Sequence, residues 1–306
     1  MSKVKVVEVG VRDGLQNESE IIPTQTKYTL IKKLSEAGLK YIEVGAYVSP
    51  KWVPQMAGSD QLVRRVYKDQ STGKLPKAAV YSALVPNVYG MKQAMETPIK
   101  EIAIFGSASE SFSQRNINCS ISESFERFQV VVEMAKKQKI KVRGYLSMAF
   151  GCPYEGRVPQ ARVAKLVEKL YKLGVYEVSI GDTIGIATPK QVRQLVPKLD
   201  KAVGLKNVAM HFHDTRGTAL ANVLASLDLG VRTFDSSVGG LGGCPYAKGA
   251  SGNLGTEDLV YMLHGMGYKT GVDVEKLVAI RNWIQKQVGH TLPSHVGRSG
   301  IIKGLP

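Results

Sequence analysis

The chain has 306 residues, 43% of them hydrophobic and 22% charged, which supplies a substantial core and argues against disorder. Lys and Arg number 41 against 26 Asp and Glu, a formal net charge of +15, yet the basic residues are spread along the chain. That spread argues against a nucleic-acid-binding stripe and for steering of small anionic ligands. No apolar run approaches the roughly 18–20 residues of a membrane span, so neither nucleic acid nor membrane is an expected partner.

The opening MSKVKVVEVGVRDG alternates apolar and charged residues and lacks the continuous apolar stretch and cleavage site of a secretory leader. A cytoplasmic location is expected. Cys119, Cys152 and Cys244 are too few and too scattered for a disulfide framework or a structural zinc site, which fits a reducing compartment.

In chain order, strand-like runs fall at Val4–Val9, Tyr41–Val44, Ala78–Leu84, Glu101–Phe105, Lys141–Ser147, Glu177–Ile180, Val208–Phe212 and Thr233–Asp235. Helical periods lie between them at Thr26–Ala37, Ser122–Lys137, Gln160–Leu173, Pro189–Lys201 and Thr218–Leu229. Thr188-Pro189 reads as an N-cap followed by proline at the first helical position. Gly38, Gly174 and Gly230 each follow a helical period, where a C-terminal cap is expected. Eight alternations at a spacing of roughly 30 residues predict an α/β fold, a (β/α)8 TIM barrel. An open doubly wound sheet is the rival, but it would bring a phosphate-binding glycine fingerprint after its first strand. Gly10-Val11-Arg12-Asp13-Gly14 stands there instead. One catalytic domain over 1–306 is expected, with an extra C-terminal helix at Asp273–Gln287 and a mobile Gly-rich tail over about 297–306.

In such a barrel, chemistry gathers at the C-terminal strand ends. Arg12 and Asp13 follow the first strand, Glu43 interrupts the second, Asp182 ends the sixth, His211 and His213 end the seventh, and Asn253 lies beyond the eighth. His211 and His213 are two apart, so both imidazoles point to one side of the strand. They are either a structural pair or two ligands of one metal, with Asp13 as the anionic partner. Two histidines and a carboxylate could host Fe(II); an added Asn253 amide would suit an octahedral Mg2+ or Mn2+. Arg12 is either a salt-bridge partner of Asp13 or a fixed charge for a developing oxyanion. Residues 239–255 hold seven glycines around Cys244, which reads either as an ordinary flexible loop or as a lid carrying a proton donor.

Several of these segments resemble those of the 3-hydroxy-3-methylglutaryl-CoA lyases, within a metal-dependent barrel superfamily. The matching stretches are Val11-Arg12-Asp13-Gly14-Leu15-Gln16-Asn17-Glu18, Gly181-Asp182-Thr183-Ile184-Gly185, His211-Phe212-His213-Asp214-Thr215, Val238 to Ala247, and Gly249-Ala250-Ser251-Gly252-Asn253. The cysteine loop sets this family apart from the synthases and aldolases that share the other motifs. The resemblance implies cleavage of 3-hydroxy-3-methylglutaryl-CoA to acetyl-CoA and acetoacetate, as in leucine catabolism and ketone body formation. It implies Mg2+ or Mn2+ on Asp13, His211, His213 and Asn253, with CoA thioester as substrate and not as a bound cofactor. It places Arg12, Glu43, Asp182 and Cys244 on functional positions, and Asn116 and Ser120 on a CoA-contacting loop. Either Asp182 or His211 is expected to be the base. A homodimer or higher homo-oligomer is expected. The family often has alanine where this chain has Gly239-Gly240, a change that bears on loop motion and removes no reacting group.

Overall fold

Eight short parallel strands close on themselves in the computed structural model, which describes residues 2–243 and 252–302. The strands are β1 (Lys5–Glu8), β2 (Tyr41–Ala46), β3 (Val80–Leu84), β4 (Glu101–Ser107), β5 (Lys141–Ser147), β6 (Val178–Asp182), β7 (Val208–Phe212) and β8 (Thr233–Ser236). Each pairs with its sequence neighbours, and β1 pairs with β8 to complete the ring. The expected (β/α)8 barrel is the observed fold.

The surrounding helices are α1 (Thr24–Glu36), α2 (Ser59–Ser71), α3 (Val88–Met95), α4 (Glu110–Ile117), α5 (Ile121–Lys137) and α6 (Gln160–Leu173). They continue with α7 (Pro189–Val203), α8 (Ala219–Asp228), α9 (Thr256–Gly265), α10 (Val274–Val288) and α11 (His295–Ser299). Their ends follow local chemistry. Thr188 caps α7 in a capping box with Gln191, and Pro189 fills the first turn. Gly174 closes α6 at φ +109°, where a side chain would be strained. At Gly38 a Cβ would sit 2.1 Å from the Gly271 carbonyl oxygen.

Helix α10 is the extra C-terminal helix expected. The tail expected from residue 297 begins instead inside α11, because two acceptors organise that segment. Ser294 Oγ accepts from Gly297 N at 3.0 Å, and the Asp258 carboxylate accepts from His295 N and Val296 N at 3.0 and 2.6 Å. Among the described residues no helix is long and apolar enough to cross a membrane.

Period-2 alternation decides what fills the ring. Along β5, β6, β7 and β8 the residues Arg143, Tyr145, Ser179, His211 and Asp235 share one parity and bond to one another. Val178, Ile180, Met210, Phe212 and Phe234 take the other parity and join the apolar core. The barrel interior is therefore polar and charged.

Candidate active site at the barrel mouth

The chain leaves β1 through one wide helical turn, Gly10–Gly14, in which the amides of Arg12, Asp13 and Gly14 all donate to the Val9 carbonyl at 3.2, 2.8 and 3.1 Å. A Cβ on Gly10 would lie 2.5 Å from Glu8 Oε1 and 3.0 Å from Ser237 Oγ, so a side chain there would push the Glu8 carboxylate out of place. The turn delivers Arg12 and Asp13 to the mouth together. Arg12 Nε donates to Glu43 Oε1, and Nη1 donates to Asp13 Oδ1 at 2.6 Å. Tyr145 OH holds the other Glu43 oxygen at 2.6 Å. Burial opposes the charge on Arg12, but Glu43 and Asp13 outweigh it and push its pKa up, so the guanidinium stays charged. Its Nη2 has no partner among the described residues, on a side chain that lines the mouth cavity.

The two imidazoles share a face, as their spacing requires. Nε2 of His211 and Nε2 of His213 lie 3.2 Å apart, and ligand atoms of Asp13, His211 and His213 all fall within 4.8 Å of one another. Asn253 Nδ2 donates to Asp13 Oδ2 at 2.9 Å. The Asn253 Oδ1 and His213 Nδ1 atoms are buried without a partner. An orphaned amide oxygen beside a carboxylate and two imidazoles is a donor set with a vacant acceptor role, and it fits a hard divalent cation. Charge agrees. Burial and the neighbouring His211 lower the His213 pKa to about 3, leaving it neutral and able to ligate. Burial raises the Asp13 carboxyl, but Arg12 and the two histidines outweigh it and bring the pKa to about 2.

Beneath the mouth lies a support that no motif announced. Asp235 Oδ2 sits 3.3 Å from His211 Nδ1 and accepts from Ser179 Oγ at 2.6 Å, while Asp235 Oδ1 accepts from Arg143 Nη2 at 2.7 Å. Burial disfavours the charged Asp235, yet Arg143 and His211 hold its pKa well below the carboxylate range. An ionised carboxylate only accepts, so the His211 proton sits on Nδ1 and the lone pair on Nε2 points toward the other ligands. Arg143 Nε continues to Glu177 at 2.8 Å, and Lys5 meets the same carboxylate at 2.5 Å. Arg143, Tyr145 and Asp235 were readable only as strand residues of the right parity.

The acids flanking the glycine-rich loop were missed as well. Glu8 Oε1 accepts from Gly10 N and Val238 N at 2.8 and 3.0 Å, and both Glu257 oxygens accept from Gly239 N at 3.0 and 2.9 Å. Burial raises both carboxyls to about 7. Cys244 lies outside the described residues.

Asp182 departs from expectation. It follows Gly181, which lines the mouth, so alternation turns its side chain to the opposite side of β6. Its oxygens accept from Ile186 N and Ala187 N at 2.9 and 3.0 Å, pinning the loop after β6. Burial raises its carboxyl to about 6 against those two bonds. Asn116, near the end of α4, lines the mouth cavity, whose volume is about 280 Å³. Ser120 does not line it. Its hydroxyl accepts from Glu123 N at 3.1 Å, and Glu123 returns the bond to Ser120 N at 2.7 Å, so it caps α5. The Ser-x-x-Glu spacing carried that signal.

Comparison with known proteins agrees over nearly the whole chain. The HMGL-like family model matches residues 3–284. The hydroxymethylglutaryl-CoA lyase of Pseudomonas mevalonii is 50% identical over 97% of this chain and 96% of its own length. The mitochondrial hydroxymethylglutaryl-CoA lyase of Rattus norvegicus is 50% identical over 97% of this chain and 89% of its own. The crystal structure of hydroxymethylglutaryl-CoA lyase from Pseudomonas aeruginosa superposes with a TM-score of 0.92 at 48% identity, covering 97% of both chains. The HMG-CoA lyase from Brucella melitensis gives 0.89 at 43% identity, covering 94% of this chain and 100% of the other. With the family model matching residues 3–284 and relatives 50% identical over 97% of the chain, this chain belongs to the HMGL-like family.

Proposed function

We propose that this chain is a divalent-metal-dependent hydroxymethylglutaryl-CoA lyase that cleaves 3-hydroxy-3-methylglutaryl-CoA to acetyl-CoA and acetoacetate. The convergence of Asp13, His211 and His213 within 4.8 Å beside a charged, doubly anchored Arg12 carries the reading. Asp13, His211, His213 and Asn253 would hold Mg2+ or Mn2+, which when bound supplies Lewis acidity that lowers the pKa of the tertiary hydroxyl. The CoA thioester is substrate, and Asn116 at the mouth is proposed to contact it. Incubation with 3-hydroxy-3-methylglutaryl-CoA should give acetyl-CoA and acetoacetate in equal amounts. Turnover of other acyl-CoAs with none of this one would move the chain to a related synthase or aldolase. A homo-oligomeric state and a cytoplasmic location are part of the proposal and rest on the sequence reading.

Carbon–carbon cleavage removes the hydroxyl proton, forms the ketone of acetoacetate and leaves the acetyl thioester as an enolate. His211 has Nδ1 committed to Asp235 and Nε2 to the ligand set, so it has no nitrogen left for the proton. Asp182 is the remaining candidate, with a carboxyl raised to about 6 by burial. To act it must give up a bond to Ile186 N or Ala187 N and turn toward the mouth, so a shift of residues 183–187 is part of the proposal. The ionised carboxylate is the working form. On this reading kcat/KM falls about tenfold per pH unit below about 6. Asp182→Asn should slow turnover by about 10²–10⁴-fold and abolish that acidic limb. A variant that keeps both rate and limb would place the base elsewhere.

The enolate must be protonated before it re-adds to the ketone, and Cys244 is proposed as the donor. A thiol of ordinary pKa, about 8.5, is mostly protonated at neutral pH. Cys244→Ser should bind metal normally yet turn over at least ~100-fold more slowly, because a hydroxyl is a far weaker acid. Thiol alkylation should inactivate the wild type. Near-normal turnover in Cys244→Ser would require another donor.

A further inference from the structure

The opposite end of the barrel holds a larger cavity, about 780 Å³, at the N-terminal ends of β1, β2 and β8. Six of its 16 lining residues are basic (Lys3, Lys5, Lys40, Lys206, Arg232 and Lys269) and none is acidic. Scattering the chain's 41 basic and 26 acidic residues evenly over 306 positions would place about two bases and one acid there. The surplus is therefore local.

Five of these cations meet no carboxylate among the described residues. Lys5 is the exception, engaged with Glu177 at 2.5 Å. Arg232 donates Nη1 to the carbonyls of Leu227 and Val231 at 2.9 and 2.8 Å and lies over the Tyr268 ring. Lys3 and Lys269 are partners across a parallel backbone bridge, fixed by Val4 N to Lys269 O at 3.0 Å and Lys269 N to Ser2 O at 3.2 Å. Like charges set opposite each other on paired backbone repel, and an anion between them would relieve that cost. The apolar lining comes from the half-buried Tyr41 and Leu205, with Val4, Val6 and Val272 buried behind them in the core.

We propose that this cavity is a second ligand site, which takes a small organic polyphosphate of nucleotide type. Its volume falls within the ~300–1,000 Å³ of ordinary small-molecule sites. Phosphates meet the lysine rim and Arg232, and a ring system lies against Tyr41 and Leu205. The bordering strands β1, β2 and β8, four, six and four residues long, set it roughly 13–20 Å from the mouth at ~3.3 Å per residue, at the opposite end of the barrel from the substrate.

The test titrates ATP into metal-stripped protein in EDTA, so that no metal at the mouth can recruit it. Lys40, Lys206 and Lys269 are exposed and lie outside the catalytic machinery. Each unit charge at about 4 Å in water-like surroundings is worth about fivefold in affinity. Lys40→Ala/Lys206→Ala/Lys269→Ala should therefore weaken ATP about 100-fold, with the holoenzyme's kcat and KM unchanged. ATP should bind more tightly than inorganic triphosphate. Equal binding by wild type and triple variant, or no saturable binding at millimolar ATP, would each overturn the site. Equal affinity for ATP and inorganic triphosphate would overturn the nucleotide-type assignment.

Discussion

Replacing Arg12 with Gln is expected to lower kcat by roughly 10²–10⁵-fold while KM changes far less, the range found for oxyanion donors and charge-stabilising arginines. The geometry explains the split. Glu43 and Asp13 hold two of the guanidinium's nitrogens, and Tyr145 fixes Glu43 in turn, leaving Nη2 as the donor without a partner among the described residues. A charge fixed in this way need not reorganise as the thioester enolate develops its negative oxygen, so it acts on the transition state more than on binding. Arg12→Lys keeps the charge but loses the planar fork that engages Glu43 and Asp13 together, and should fall between wild type and Gln. Steady-state kinetics on the metal-loaded variants checks this. A defect confined to KM would make Arg12 a substrate anchor.

Much of this site could be read from the chain, and the unread parts share a cause. His211 and His213 declared themselves because alternation forces residues two apart onto one face, and Arg12-Asp13 because charged residues stand where an apolar strand has just ended. The same alternation turns Asp182 away from the mouth, since its neighbour Gly181 is the inward residue; polar character at a strand end does not by itself fix which face a side chain takes. Asp235 and Arg143 look like isolated charges in sequence, and only curling of the sheet into a barrel brings β5 and β8, three strands apart, face to face across the interior so that they meet. The loop acids Glu8 and Glu257 act on backbone amides far away in sequence, which no local motif reports. Ser120 shows the reverse case: its capping spacing was plainly local, and the cap is what the structure contains.

His213→Ala should weaken Mn2+ binding by at least ~100-fold, more than the 10–100-fold typical of removing an outer-shell partner. The deletion removes one of two imidazoles whose Nε2 atoms stand 3.2 Å apart and leaves His211 and Asp13 to hold the cation with the Asn253 amide. Burial keeps His213 neutral, with a pKa of about 3, so its loss as a donor is not offset by relief of a positive charge. Titration of the variant with Mn2+, followed by the resonance of the free ion, reads affinity apart from turnover. Unchanged far-ultraviolet dichroism would separate ligand loss from unfolding. Wild-type affinity in this variant would return His211 and His213 to a structural pair.

In the proposed reaction, carbon–carbon cleavage requires a divalent cation at the mouth. The protein is stripped with chelator, given 3-hydroxy-3-methylglutaryl-CoA, and assayed for acetoacetate before and after Mg2+ is restored. No acetoacetate is expected without metal, and full recovery is expected on addition of Mg2+, with acetyl-CoA appearing in equal amount. Undiminished cleavage by the stripped protein, or none after Mg2+ and Mn2+ are each restored, would contradict it.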